Sequence, residues 1–517
     1  MSRSVQRITT TKSATGIVTD IFGKGLTKDS LRRLTHEKSE EWWVKEGEKR
    51  ALALFHEAAK RVPAYASFLK KKGVKASAVR SMTDFSQVPE TDKKNYITRY
   101  PLEDRCWDGT LKGSTLVAMS SGTTGSPTLW PRGMEQEAEA ALVHEHLFLD
   151  LYEVKRYRTL AIIAFPMGVY VSGIATTLPS FLTACKHPNL TLLTAGNNRD
   201  SILKTLTQLQ KDFDQVILIG HPFFIKDVIE TGKKHGIRWG KTKLRTMFCS
   251  EGFSEEWRDY ISSLVLKSAS HRDFFNTYGS SELLLMAYES PETVLLRRAS
   301  EKDSELRNKL FSKPVTPFLF QYNPSLRYIE SNSKGELLFT ARSGVPLVRF
   351  NLHDSGELIS HSFVNGALKE TGISLTGEIR KAGWKRWNLP FVALYGRSDH
   401  ALVFYAANIY PEHIHGALNH APFLKKITGK FSMEKNYTPS MDQRLTVHIE
   451  LQEKESGTAS LCSELRKNIV QNLEAVNMEY LFLRNNLEKD LVPEVVLHPY
   501  QDDTYFKQGI KPRYIIK

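Results

Sequence analysis

The stretch Val117-Ala118-Met119-Ser120-Ser121-Gly122-Thr123-Thr124-Gly125-Ser126-Pro127-Thr128 decides the reading of this chain. A short apolar segment enters a run in which every position from 120 to 126 is serine, threonine or glycine, and Pro127 stiffens the exit. Glycines let backbone amides turn toward an anion with no Cβ in the way, and neighbouring hydroxyls add donors, so the run suits phosphate. The competing reading is a flexible linker, which Gly/Ser tracts often are. An apolar strand expected over 115–119 and the proline exit favour a loop that cradles a nucleotide triphosphate. The run lacks the Gly-Lys-Ser/Thr ending of common nucleotide hydrolases.

Working outward, 517 residues supply material for about three domains, or for one large and one small. A hydrophobic share of 41% with 25% charged residues is ordinary for a globular protein. The net charge of +14, from 71 Lys and Arg against 57 Asp and Glu, is scattered without basic blocks or interleaved aromatics. That pattern gives no support for nucleic acid as a partner and suits polyanionic small molecules. Cys106, Cys185, Cys249 and Cys462 stand far apart, so neither a disulfide framework nor a cysteine zinc site is expected, and a cytoplasmic setting is. Residues 1–28 are basic and hydroxyl-rich with a first acid at Asp20, and read as a frayed lead-in rather than a transit peptide. Residues 159–185 carry no charge, yet Pro166, Gly168, Gly173 and Pro179 divide them into a strand, a glycine turn and a short helix. No membrane span is expected there.

Residues 31–62 read as helices with Trp42, Trp43, Leu52, Leu54 and Phe55 buried. A helix is expected over 134–149, then strands over 189–193, 215–219, 243–249 and 274–276, with helices over 200–211 and 254–266. This alternation predicts a mainly parallel α/β sheet. From 317 onward the texture is β-rich, at 317–322, 335–340, 347–351 and 356–360, as in a barrel or distorted sheet. Beyond residue 399 about 118 residues alternate strand and helix, enough for a small α+β domain.

Four motifs occur in one order at wide spacing: the loop at 120–125, Tyr278-Gly279-Ser280-Ser281-Glu282, Arg349-Phe350-Asn351-Leu352-His353-Asp354 and Gly396-Arg397-Ser398-Asp399. Val88-Pro89-Glu90-Thr91-Asp92-Lys93 precedes them, Pro131-Arg132 leaves the loop, and Asn408-Ile409-Tyr410-Pro411 follows. From about residue 50 to its C-terminus the chain thereby resembles the adenylate-forming superfamily, and within it the phenylacetate–coenzyme A ligase family. The resemblance implies an α/β fold with a large adenylation domain of mixed sheets and a β-rich subdomain over 41–396. An extension over 1–40 precedes it, and a small, mobile α+β domain over 397–517 follows. It also implies that ATP, with Mg²⁺, activates a small-molecule carboxylic acid to an acyl-adenylate with pyrophosphate release, and that coenzyme A then displaces AMP. A monomer or homodimer is expected.

Carried over by the same resemblance, Ser120, Ser121, Gly122, Thr123, Thr124 and Gly125 wrap the β- and γ-phosphates. Tyr278 lies against adenine, with Gly279 and Ser281 in the same segment, and Glu282 holds Mg²⁺. Asp354 accepts from the ribose hydroxyls, Arg397 sits near ribose and phosphate, and Asp399 is the hinge. The lysine that completes adenylation falls in 505–513; Lys511 is the first candidate and Lys507 the second, because Ile510 separates Gly509 from Lys511.

Three departures from the family pattern stand out. Ser126 replaces a lysine, Leu352-His353 replaces a more polar pair, and Tyr405-Ala406-Ala407-Asn408 replaces Arg-Gly-Val-Asn. A methyl at position 406 narrows the approach of a thiol, so an amine acceptor, giving an amide ligase, stays open. The surroundings of Lys511 keep open a non-catalytic nucleotide-binding relative. The acid pocket is expected within 165–173, 221–224 and 249–252, from Phe165, Met167, Tyr170, Gly173, His221, Phe223, Phe224, Ser250, Glu251 and Gly252. Its apolar lining suits an aromatic or medium-length aliphatic acid. His144 and His146, like His413 and His415, lie two apart on expected helices; their rings face different ways, and they read as structural rather than as metal ligands.

Overall fold

The hydroxyl-rich run lies between two strands, β1 (Leu116–Ser120) and β2 (Thr128–Arg132), which pair antiparallel with Ser120 opposite Thr128. The second strand lies outside the expected elements and carries Pro131. The proline is tolerated because among the described residues β2 pairs with β1 alone, which leaves it a side that needs no donor. The computed structural model describes residues 28–120, 128–168, 170–265, 273–397, 401–419, 421–487, 489–502, 504–506 and 514–516. Ser121, Gly122, Thr123, Thr124, Gly125, Asp399, Lys507 and Lys511 therefore lie outside the described residues.

The main sheet comprises β3 (Thr159–Ala164), β4 (Leu190–Leu193), β5 (Gln215–Gly220), β6 (Lys243–Phe248), β7 (Phe274–Ser280), β8 (Leu284–Tyr288), β9 (Phe318–Tyr322), β10 (Tyr328–Ser331), β11 (Glu336–Ala341), β12 (Leu347–Ile359) and β13 (Phe391–Arg397). Their order is β10-β11-β12-β13-β9-β8-β7-β6-β5-β3-β4. Strands β4, β3, β5, β6 and β7 run parallel, while every pairing from β7 to β10 is antiparallel. The expected parallel sheet is thus one half of a mixed sheet, and the β-rich stretch extends that sheet instead of closing a barrel. The reversal comes at the β7–β8 hairpin. Gly279 sits at its bulge, where a Cβ would stand 2.9 Å from the Leu284 carbonyl oxygen.

Strand β3 is buried at every position and feeds two cores. Leu160, Ile162 and Ala164 pack with Phe223, Val228 and Trp257 on one face. Ala161 and Ile163 pack with Leu142, Val143 and Leu147 of the helix Met134–Asp150 on the other. The helix Val171–Ala184 runs through Pro179 instead of stopping there. An interior proline costs about 3 kcal/mol, and burial of the face bearing Val171, Gly173, Thr176, Pro179 and Thr183 offsets it. In the N-terminal helices Lys28–Glu37 and Glu40–Arg61, Trp43, Leu54 and Phe55 are buried, while Trp42 and Leu52 are only half-buried.

After residue 400 the short hairpin β14 (Leu402–Phe404) and β15 (Ala407–Ile409) precedes a separate four-stranded sheet. That sheet holds β16 (Ile427–Tyr437), β17 (Gln443–Leu451), β18 (Glu494–His498) and β19 (Ile515–Ile516), in the order β18-β17-β16-β19. Helices Pro411–Leu418 and Ala459–Val476 pack on it through Ile414, Ala417, Leu465 and Ile469. It docks on the main body: Lys226 Nζ lies 3.0 Å from Asp442, and Phe223 meets the Tyr405 ring at 5.3 Å. Among the described residues, no helix is long and apolar enough to cross a membrane.

Candidate active site

A cavity of about 1750 Å³ opens where the parallel strands end, with Ala164, Ile219, Met247 and Thr277 in its floor and Ala406, Asn408, Glu479 and Phe482 in its roof. The carboxyl ends of parallel strands are where α/β sheets bind ligands.

One end gathers residues of all four motifs. Asp354 of β12 stands opposite Arg397 of β13, is 6% exposed, and lies 3.7 Å from an Arg397 guanidinium nitrogen. The Tyr278 hydroxyl donates to the same carboxylate. Burial and then the Asp354 charge push this phenol well above its ordinary range, so it stays a neutral donor. The Tyr278 ring stacks on Phe320 at 5.9 Å and meets Phe339 edge-on. Gly279, Ser281 and Ser120 line the same end.

The segment ahead of the loop is tied to β12. Thr91 N donates to the Arg349 carbonyl, Asn351 N donates to the Thr91 carbonyl, and the Arg349 guanidinium bonds the Val88 carbonyl. This anchoring delivers Lys93 to Glu282, with Nζ 2.7 Å from Oε1. Burial opposes ionisation of Glu282, but the Lys93 ammonium prevails and holds the carboxyl below its ordinary range. Lys93 is half exposed toward the cavity. Sequence reasoning assigned it no role, although its place beside Asp92 in a quoted motif was the available signal. Among the described residues no cluster of three or more acidic, histidine or cysteine side chains could hold a metal ion. A single carboxylate beside bound phosphates is nevertheless a common way to hold Mg²⁺, so Glu282 fits an ion that arrives with the nucleotide.

The other end is more apolar. Phe165, Tyr170, His221, Phe224, Ser250, Glu251 and Gly252 line it. Gly173 and Phe223 do not, contrary to expectation. Gly173 lets its helix approach the preceding loop, since a Cβ there would stand 2.2 Å from the Pro166 carbonyl oxygen. Phe223 turns into the core between Trp257 and Tyr405, each at 5.3 Å. Met167 packs beneath Gly173 and Gly196. At Gly252 a Cβ would stand 2.0 Å from the Phe318 ring, and Ser250 adopts a left-handed φ of 76°. Glu251 is already engaged: Gln443 donates to it and Lys435 lies 3.5 Å away. Burial lifts its carboxyl above the ordinary range against the pull of Lys435.

Two imidazoles also line the cavity. His221 sits edge-on to Phe165 at 5.1 Å, and burial pushes it down to about 4. His144, read from sequence as structural, also faces the cavity, with burial pushing it to about 4. His146 turns instead to Trp387, at 4.9 Å. His413 and His415 likewise part, one toward Tyr410 and one toward Phe431.

No family model matches the chain. Over 402 residues it is 22% identical to phenylacetate–coenzyme A ligase of Aromatoleum evansii, covering 76% of this chain and 78% of that protein. It superposes on 2-hydroxyisobutyryl-CoA ligase in the thioesterification state with a TM-score of 0.63, at 15% identity over 94% of this chain and 91% of that one. An open conformation of the same ligase gives 0.51, at 14% identity over 92% and 91%. The chain thus shares its fold with an adenylate-handling acyl-CoA ligase and is similar in sequence to a phenylacetate–coenzyme A ligase.

In this adenylate-forming fold the third departure from the family pattern takes a definite shape. Tyr405 and Ala406 are the two residues joining β14 to β15, with φ of 47° and 69°. Those are the angles of a hairpin turn that glycine and asparagine favour, and a side chain there costs about 1–2 kcal/mol per residue. The turn is held from outside: Tyr405 N donates to Gln443 Oε1 at 2.7 Å, and Gln443 N donates to the Tyr405 hydroxyl oxygen at 3.2 Å. Ala406 lines the cavity roof.

Proposed function

We propose that this chain is an AMP-forming acid ligase, which activates a carboxylic acid with ATP and passes the acyl group to coenzyme A. The observation that carries this reading is one cavity joining the Asp354, Tyr278, Arg397 and Glu282 constellation to an apolar end. A carboxylate is a poor electrophile. Attack of its oxygen on the α-phosphorus of ATP breaks the bond to pyrophosphate and leaves a mixed anhydride with AMP. A thiolate then attacks the acyl carbon, and AMP departs with the bonding electron pair.

In this reading Asp354 accepts from the ribose hydroxyls, Tyr278 lies against adenine, Arg397 steadies ribose and phosphate, and Ser120 to Gly125 grip the pyrophosphate side. Glu282 would hold Mg²⁺, which offsets phosphate charge when bound. Lys511, or failing that Lys507, supplies the cation for adenylation, brought in as the region from 397 onward turns about Asp399. We place the activity in the cytoplasm, where the free thiols Cys106, Cys185, Cys249 and Cys462 would stay reduced. The filled turn at Tyr405-Ala406 keeps an amine in play as the acceptor.

The test is pyrophosphate release with ATP, Mg²⁺ and a panel of aryl and alkyl acids. Acid-dependent release is expected, with a loss of about 10²-fold or more in Glu282→Ala. Release that is absent for every acid, or indifferent to Glu282→Ala, overturns the reading. Preformed acyl-adenylate offered coenzyme A or an amine, with products weighed by mass spectrometry, decides the acceptor.

A further inference from the structure

Two neutral imidazoles line the cavity, and among the described residues no protein group bonds Nε2 of His144 or either ring nitrogen of His221. On the helix Met134–Asp150, His144 is 4% exposed, and its Nδ1 lies 2.8 Å from the Ala140 carbonyl oxygen. A carbonyl only accepts, so Nδ1 carries the proton and Nε2 keeps a bare lone pair. Nε2 has no hydrogen-bond partner among the described residues, and the His144 side chain lines the cavity. His221 precedes the helix Pro222–Lys234, rests its ring against Phe165, and has no hydrogen-bond partner among the described residues either. Burial keeps both rings uncharged near neutral pH.

A hydrocarbon seated here would strip water from these nitrogens and return no hydrogen bond, the situation that disfavours an unmatched ligand. A hydroxyl can donate to a bare imidazole nitrogen and accept from an imidazole N–H. An ammonium group is matched less well, because Glu251 on this wall is occupied by Lys435 and Gln443. We propose that His144 and His221 are specificity-determining residues that select a hydroxyl-bearing carboxylic acid, with the hydroxyl donating to Nε2 of His144. This rests on the acid-ligase reading and narrows its substrate class.

The experiment compares acids matched in size and differing by one hydroxyl: 4-hydroxyphenylacetate against phenylacetate, the hydroxybenzoates against benzoate, and hydroxyhexanoates against hexanoate. In the wild type at least one hydroxylated member is expected to exceed its plain partner by about 10- to 100-fold in kcat/KM for pyrophosphate release. In His144→Phe that ratio falls toward one while the KM for ATP holds, and His144→Gln, which keeps an acceptor, restores part of it. Should His144→Phe fail to fold, His221→Phe carries the same comparison, with thermal unfolding as the check on folding. Equal rates for every matched pair in the wild type, or a ratio unchanged in both phenylalanine variants, overturns this inference while leaving the ligase reading intact. Absence of acid-dependent release with all acids overturns both.

Discussion

At the nucleotide end of the cavity, Asp354 already accepts from Tyr278 and faces Arg397, and Glu282 already holds Lys93. Elsewhere on the cavity lining, among the described residues, His144 Nε2 and both His221 nitrogens stand without protein partners, His221 with its ring against Phe165. Paired charges and unpaired neutral groups thus line one cavity, the combination that the proposed pairing of a nucleotide with an acid requires. Charges that are paired in advance are oriented before the nucleotide arrives, so little reorganisation remains to be done when it binds. Neutral, unpartnered groups are tolerated because water reaches them while the pocket is open, and they act only by rejecting a ligand that cannot replace that water.

The largest effect that could break this contrast lies in pH. The folded value of His144 is about 4 against an ordinary 6.5, so the unfolded chain takes up its proton first as pH falls. The stability linked to this ring is complete above pH 6.5 and is lost as pH falls toward 4, a loss of roughly 2–3 kcal/mol by the lower end of that window. Urea midpoints at pH 7.5 and 4.5 should therefore drop further for the wild type than for His144→Phe. Equal drops would mean that the imidazole is solvated in the folded cavity.

A comparable or smaller change is expected at the other end. Asp354→Ala removes a carboxylate placed for charge-assisted hydrogen bonds, worth roughly 1.5–3 kcal/mol. The KM for ATP should rise about 10- to 100-fold while the KM for the acid stays put; a matching rise in the KM for the acid would merge the two ends into one coupled site. The smallest effect belongs to the roof. Ala406→Gly relieves a left-handed φ of 69° at the entropic expense of glycine, a net gain of about 0.5–1 kcal/mol. It should appear as a higher melting temperature, and an unchanged or lower one would show that the Gln443 contacts already hold the turn without strain.

Much of the fold was legible because burial writes itself into composition. The strands at β5 and β6 read as short apolar runs between turns, and each sits within about one residue of its expected bounds. Strand β2 did not, because Pro131 speaks against a strand unless one knows that its ribbon has a free side. The helix through Pro179 runs on for a related reason: local propensity argued for a break, and burial of the face that carries Pro179 overrode it. At the site, Glu282 and Asp354 came from motif order, whereas Lys93 entered through backbone pairing between segments more than 250 residues apart. That His144 lines the cavity was not legible, because helical spacing reveals that two rings diverge but not which one meets a cavity.

By itself, then, the order of residues determined the adenylate-forming resemblance, the apolar strands of the parallel half and the charged groups of the nucleotide end. Those features are local or collinear, and short stretches of chain carry them. The tertiary structure alone decided that Phe223 and Gly173 serve the core, that Glu251 is taken by the C-terminal region, and that Tyr405-Ala406 forms a left-handed turn. It also decided that two imidazoles line the cavity. Each of these depends on which distant surfaces come to lie face to face, and side-chain direction at such a junction follows from packing rather than from propensity.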